Sequence, residues 1–334
     1  MRKRIIKQNI LITGASGFIG RNLCAFLKEK GYGVRAAVRN SVRDISGVDE
    51  YFQIGDIGES TDWLQALAGV DTVIHLAARV HNMGRDTTES LDAFSKVNTF
   101  GTQRLAEKAV NAGVKRFIFI SSVKVNGERT EVGGREGELK EAFSERDAPD
   151  PQDAYGISKR EAEDSLASIA NEIGLQTVIL RLPLVYGPGV KANFKNLIKI
   201  ASIGLPLPFR GINNQRSFIY LGNLVDAISI CITHPKAVGE TFMVSDGQDI
   251  STSDLIKMIA CAMGKKAFLF SLHPGILKAL CKIVGKTEAL EKLTGSLLVD
   301  SSKIRNLLGW KPLFTLEEGI RETVEVRGRR SEIR

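Results

Sequence analysis

Cysteine is scarce in this 334-residue chain: four residues, at positions 24, 231, 261 and 281, none in a Cys-x-x-Cys pair. No disulfide framework is indicated, and a reduced, cytoplasmic setting is expected. Histidine is equally sparse, and His75, His81, His234 and His273 are too dispersed to suggest a metal site. No apolar run reaches the roughly 18 residues of a membrane-spanning helix, so insertion into a bilayer is not expected. The stretch Leu272 to Val284 has the pattern of an amphipathic helix. Such a stripe commonly faces a core, with docking on a membrane surface as the alternative. The basic start Arg2-Lys3-Arg4 is followed by an apolar stretch that Lys7-Gln8-Asn9 interrupts, which argues against a secretory signal. Internal repeats and low-complexity segments are lacking too.

What is present is an ordinary globular composition, 43% hydrophobic and 25% charged, which rules out a disordered or fibrous chain. The net charge of +8 could attract nucleic acid, a membrane surface or a phosphorylated small molecule, and the basic residues are too scattered to decide among them. Short β-branched runs alternate with helical patterns: Ile10–Ile12, Gly33–Arg39, Tyr51–Ile54, Thr72–Ala77, Phe117–Ile120 and Val178–Leu182 read as strands. One long helix is expected over Ser90–Ala112 and another from Tyr155 to Ile173, with a polar surface loop over Glu128–Arg146. Strands separated by helices mean parallel crossovers and a sheet buried on both faces. After Pro188 the pattern becomes mixed. The fold expected is α/β, a doubly wound parallel sheet over 1–185 followed by a smaller mixed α/β unit over 186–334.

The strongest local signal is Thr13-Gly14-Ala15-Ser16-Gly17-Phe18-Ile19-Gly20, between a strand and a helix. Glycines at 14, 17 and 20 permit a tight turn, approach of a pyrophosphate and close helix packing, and the helix start supplies amides and a positive dipole. Gly14, Ser16, Gly17, Phe18, Ile19 and Gly20 are therefore candidate dinucleotide contacts, although the spacing is Gly-x-x-Gly-x-x-Gly rather than Gly-x-Gly-x-x-Gly. No carboxylate stands between Gly31 and Asn40 to bind a ribose 2′-hydroxyl; Arg35 and Arg39 share strand parity instead. A guanidinium suits a 2′-phosphate, so NADP is favoured over NAD.

Tyr155 and Lys159 are four apart on a helical pattern and share a face, while Ser122 ends the apolar strand before them. This set can serve hydride transfer at a carbinol or carbonyl carbon: Tyr155 as acid/base, Lys159 lowering the phenol's pKa, and Ser122 holding the oxygen. From about Ile10 to Leu308-Gly309-Trp310-Lys311-Pro312 the chain resembles the extended short-chain dehydrogenases/reductases, a Rossmann-fold group of nucleotide-sugar epimerases, dehydratases and reductases. The matching stretches are TGASGFIG, Gly55-Asp56, His75-Leu76-Ala77-Ala78, Asn98 with Gly101-Thr102, Ser121-Ser122, Tyr155-Gly-Ile-Ser-Lys159, Arg181 to Pro188 and Arg216 to Leu221.

That resemblance implies adenine contacts from Asp56 and Ile57, and Leu76, Ala77 and Ala78 under the pyrophosphate and nicotinamide ribose. It also implies Asn98 beside the cofactor, Lys159 on the nicotinamide ribose and Pro183 near the carboxamide. Asn193 and Arg216 would hold a nucleotide diphosphate, Leu205–Phe209 would line its base, and Lys124 joins Ser122 and Tyr155 in facing the substrate. Relatives dimerise through two helices, here Ser90–Ala112 and Tyr155–Ile173. Val123 and Lys124 replace the Asp-Glu pair of the dehydratases, and Leu184 replaces an Asn common in 4-epimerases. The expected activity is reduction at carbon 4 of UDP-2-acetamido-2,6-dideoxy-4-hexulose, as in synthesis of surface polysaccharides. The alternatives are a UDP-hexose 4-epimerase and, more remotely, a non-enzymatic dinucleotide sensor.

Overall fold

The computed structural model describes residues 8–41, 44–80, 88–128, 130, 142–272, 275–276, 282 and 287–331. Most of the Leu272–Val284 stretch and of the Glu128–Arg146 loop lies outside the described residues. Nine strands are described: β1 (Asn9–Thr13), β2 (Gly33–Val38), β3 (Glu50–Gln53), β4 (Thr72–His75), β5 (Arg116–Ser122), β6 (Gln176–Leu182), β7 (Leu184–Tyr186), β8 (Phe218–Tyr220) and β9 (Glu240–Met243). Seven form one parallel sheet in the order β3-β2-β1-β4-β5-β6-β9, and β7 pairs with β8 in a small parallel sheet. This is the doubly wound architecture expected from the alternation of strands and helices.

Both faces of the large sheet are apolar, as the unbroken hydrophobic runs require. In β5, Ile118 and Ile120 face a core shared with Leu23, Leu27, Leu224 and Ile228. Phe117 and Phe119 face the opposite core with Leu105, Ala109, Leu166 and Ile169. A third core, around Tyr186, Phe194, Phe218 and Ile256, holds the smaller unit together. The chain crosses back between these units. Helix Leu221–Thr233 packs in the first core and β9 completes the large sheet beside β6. Arg116, at the start of β5, fastens this return by donating to the carbonyls of Cys231 (2.9 Å) and Ile232 (2.6 Å).

The long helix expected over Ser90–Ala112 is described as three joined pieces, Thr88–Ser95, a π-helical turn Lys96–Phe100, and Gly101–Asn111. A π turn widens the backbone ladder by one residue and commonly marks a functional position. Among the described residues, no helix is long and apolar enough to cross a membrane.

Candidate active site

Sheet order reverses between β1 and β4, the place where open α/β sheets leave a crevice beyond their carboxyl ends. A cavity of about 410 Å³ lies there. Its walls come from the ends of four adjacent strands: Gly14, Ser16 and Gly17 after β1, Ala37 to Asn40 at β2, Ile54, Gly55 and Ile57 after β3, and Leu76 to Ala78 after β4. Val97 of the π turn completes it.

Two glycines are fixed by geometry. Gly14 has φ +68°, and a Cβ there would stand 2.8 Å from the Ala77 nitrogen. A Cβ on Gly20 would lie 2.3 Å from the Gly14 carbonyl oxygen, so the helix Phe18–Glu29 could not close onto the turn. That helix starts at Gly17 with no side-chain cap, which leaves its first amides facing the loop. Volume, shape and donor chemistry therefore fit a dinucleotide's pyrophosphate.

The two arginines expected to share a face are separated. β2 ends at Val38, so strand parity does not reach Arg39. Arg39 lines the cavity and pairs with Asp56 (Nε–Oδ1 2.8 Å) in an exposed ion pair at its rim. Arg35 does not line it. Its guanidinium pairs with Glu50 (2.7 Å), donates to the Ala68 carbonyl and lies over Phe52 (5.5 Å). Asn98 is buried and engaged by protein. Its oxygen accepts from the Arg79 amide (2.7 Å), and its amide donates to the Arg79 carbonyl (3.0 Å) and Ser158 Oγ (2.9 Å). It thus shapes the segment after β4, while Val97 beside it meets the cavity.

Behind Ala77 runs a buried relay that sequence reasoning missed. Thr102 Oγ1 donates to the Asn98 carbonyl (2.6 Å), so at 2.9 Å it accepts from His75 Nε2–H. Nδ1 of His75 then accepts from Thr13 Oγ1 (2.6 Å), whose oxygen accepts from the Ala77 amide (3.1 Å). Burial, with Lys159 adding repulsion, pushes the imidazole down to about 3, which fixes it neutral. The available signal was a histidine ending an otherwise apolar strand, since such a side chain needs buried partners.

Ser122 ends β5, and its Oγ accepts from the Lys124 amide (3.2 Å). Tyr155 and Lys159 lie in the first turns of helix Ala154–Ile173, capped by Asp153, which accepts from the Gly156 amide (2.7 Å). Lys124 joins the strand end to that cap: its ammonium bonds Asp153 and, at 2.9 Å, Glu128. Lys159 is buried, donates to the Ile120 carbonyl (2.7 Å) and stands 4.3 Å from the Phe119 ring centre. One turn on, Glu163 accepts from Ser121 Oγ (2.5 Å) and is clamped by Arg181 Nε (3.0 Å) and Nη2 (2.5 Å). This buried network fastens the helix to β5 and β6, and so sets where Tyr155 and Lys159 meet the end of β5.

Burial, then the charge of Asp153, raises Tyr155 above its ordinary value. Lys159 is itself pushed down to about 7 by burial, opposed by Glu163, and its ammonium is aimed at a carbonyl. The phenol is therefore held protonated, the form that gives a proton to a carbonyl oxygen.

Residues 10–245 match the NAD dependent epimerase/dehydratase family. The chain belongs to that family. It is 44% identical over 324 residues to a UDP-glucose 4-epimerase of Vibrio cholerae, covering 96% of each chain. It is 26% identical to a dTDP-4-dehydro-6-deoxyglucose reductase of Escherichia coli, covering 96% of this chain and 97% of that one. Its fold superposes on UDP-glucose 4-epimerase of Thermotoga maritima bound to UDP-glucose with TM-score 0.75 and 26% identity, covering 97% of this chain and 100% of the other. UDP-glucuronic acid 4-epimerase of Bacillus cereus with NAD gives TM-score 0.73 and 25% identity, covering 96% and 99%.

The remaining expected residues of this family member fall in three places. Pro183 is buried between β6 and β7. Asn193 lies in the first turn of helix Ala192–Ile203. Arg216 is half-buried on a segment bridging Ile250 and Leu297, and its guanidinium donates to the Gly295 carbonyl (3.0 Å). A larger open depression of about 640 Å³ lies apart from the glycine loop, among Asp147, Asp249, Asp300 and Arg305. Three carboxylates make it a poor seat for a diphosphate.

Proposed function

We propose that the chain is a nicotinamide-dependent oxidoreductase acting at carbon 4 of a UDP-sugar. The observation that carries this reading is the crevice at the sheet's reversal point, with Ser122 at the end of β5 and Tyr155 and Lys159 on the capped helix beside it. When bound, the nicotinamide supplies or accepts the hydride. Ser122 hydrogen-bonds the C4 oxygen. Tyr155 gives that oxygen its proton, or takes it in the oxidising direction. Lys159 holds the ribose hydroxyls and, when charged, favours the phenolate. Arg216 meets the diphosphate.

Two forms of this chemistry are supported by different observations. The Vibrio cholerae relative, at 44% identity across nearly the whole chain, supports 4-epimerisation with retained NAD. Arg39 at the cavity rim, without a carboxylate at the end of β2, supports an exchanging NADP-dependent 4-reductase, such as one forming UDP-N-acetylquinovosamine. The deciding experiment is NMR of purified protein with UDP-glucose or UDP-N-acetylglucosamine, and separately with UDP-4-keto sugars plus NADPH or NADH. Epimer interconversion without added cofactor identifies the epimerase; one cofactor oxidised per keto sugar identifies the reductase. If neither class reacts while the dinucleotide binds, the proposal fails.

A further inference from the structure

Charge is not spread evenly through this chain. Residues 187–225 contain five Lys or Arg and no Asp or Glu, and residues 255–287 contain six and none. Those eleven positive charges, against a whole-chain excess of +8, leave the rest of the chain net negative. Described parts of the two segments, residues 202–210 and 265–270, meet at one edge of the smaller unit. The Leu207 amide donates to the Phe268 carbonyl (2.8 Å), Phe270 to Leu207 (3.0 Å) and Arg210 to Phe270 (3.1 Å). Lys265 Nζ reaches the Ser202 carbonyl at 2.7 Å.

This edge is apolar as well as basic. Phe268 is 59% and Phe270 43% exposed, while Leu269 between them packs against the third core, so strand alternation turns both rings outward. Ile203 and Leu205, on the opposing segment, are 54% and 61% exposed. Lys195 and Lys199 are exposed one helical turn apart, following the exposed Lys191 at the helix start. Lys191 and Lys195, at the N-terminal end, oppose the helix dipole, so helix stability does not account for those two.

We propose that this edge docks the protein on an anionic phospholipid surface. Outward aromatic and aliphatic side chains, with exposed Lys199, Lys265 and Lys266 on the same two segments, suit the boundary between headgroups and acyl chains, where each lysine also gains from anionic lipid. A second copy is a poor occupant, because two such faces meeting about a twofold axis would oppose like charges. The inference is independent of which sugar the site takes.

The test is co-sedimentation of the full chain with vesicles of phosphatidylethanolamine and phosphatidylglycerol, or of phosphatidylcholine alone, at low and high salt. Binding is expected to the anionic vesicles at low salt, and to fall away at high salt and on phosphatidylcholine. Lys199→Glu with Lys266→Glu should weaken it by about tenfold or more. Phe268→Ser with Phe270→Ser should weaken the low-salt binding without changing the thermal midpoint. The proposal is overturned by equal sedimentation with neutral vesicles, by none with either kind, or by anionic binding that both double variants leave intact. A dimer that the Phe268→Ser/Phe270→Ser variant dissolves would also overturn it, by showing a second copy on this face.

Discussion

His75 gives the most direct physical test of the site's interior. Its ring is fully buried, stacked on Phe119 (centres 5.8 Å, 21°), bonded to two hydroxyls, and held neutral by burial and the nearby charge of Lys159. Its pKa falls from the ordinary 6.5 to about 3, so the unfolded chain takes up a proton that the folded chain refuses. The sign follows. The histidine's contribution is complete above pH 6.5 and is lost as pH falls from there toward 3. Between pH 7.5 and 5 that loss amounts to about 2 kcal/mol, at about 1.36 kcal/mol for each pH unit below the unfolded chain's value. His75→Gln keeps one donor and one acceptor but does not titrate. At pH 7.5 the variant should be less stable by about 2 kcal/mol, for imperfect bonds to Thr13 and Thr102. At pH 5 most of that gap should have closed. Urea unfolding of both proteins at the two pH values measures it, and the difference cancels the carboxylate titrations they share. A gap that stays constant would refute the neutral, buried assignment.

Four further outcomes follow from the site. Tyr155→Phe should lower turnover by about 100-fold or more while the fold persists, since the ring keeps its edge contact with Phe94 (6.2 Å); single-turnover kinetics read the loss. Gly20→Ala should cost roughly 1–3 kcal/mol and abolish dinucleotide binding by titration calorimetry, because its Cβ meets the Gly14 carbonyl. Glu163→Gln leaves the Arg181 guanidinium buried without its counter-charge and should cost about 3–5 kcal/mol in urea, most of it recovered by adding Arg181→Met. Arg39→Ser should weaken a 2′-phosphorylated dinucleotide by roughly 10- to 100-fold and leave the unphosphorylated one within a few-fold; equal losses would assign Arg39 to the loop it shares with Asp56.

The sheet was legible because its strands are short apolar runs between helical patterns, and the glycine loop because its neighbours in sequence are also its neighbours in space. Single-residue features were not. Strand parity alone put Arg35 beside Arg39, yet Glu50 and Ala68, on separate elements, claim Arg35. The π turn at Lys96–Phe100 arises where Asn98 reaches Arg79 and Ser158, partners distant in sequence that no helical periodicity announces. His75 was visible only as part of a matching stretch; its role depends on Thr13 and Thr102, 62 and 27 residues away. Lys124 reads as a group facing substrate, but its ammonium is held by Asp153 and Glu128.

The return of the chain to the large sheet bears on how the protein is made. When β6 leaves the ribosome at Leu182, its outer edge has no partner until β9 emerges at Glu240, and one face of β5 and β6 lacks the helix Leu221–Thr233. At about 5–20 residues per second that interval is about 3–12 s. During it an apolar strand edge of the kind that templates aggregation is open. The nucleotide-binding half is thus not a unit that finishes first. It waits for the chain to build the smaller unit's β7 and β8 and come back, and Arg116 can close on Cys231 and Ile232 only after that return.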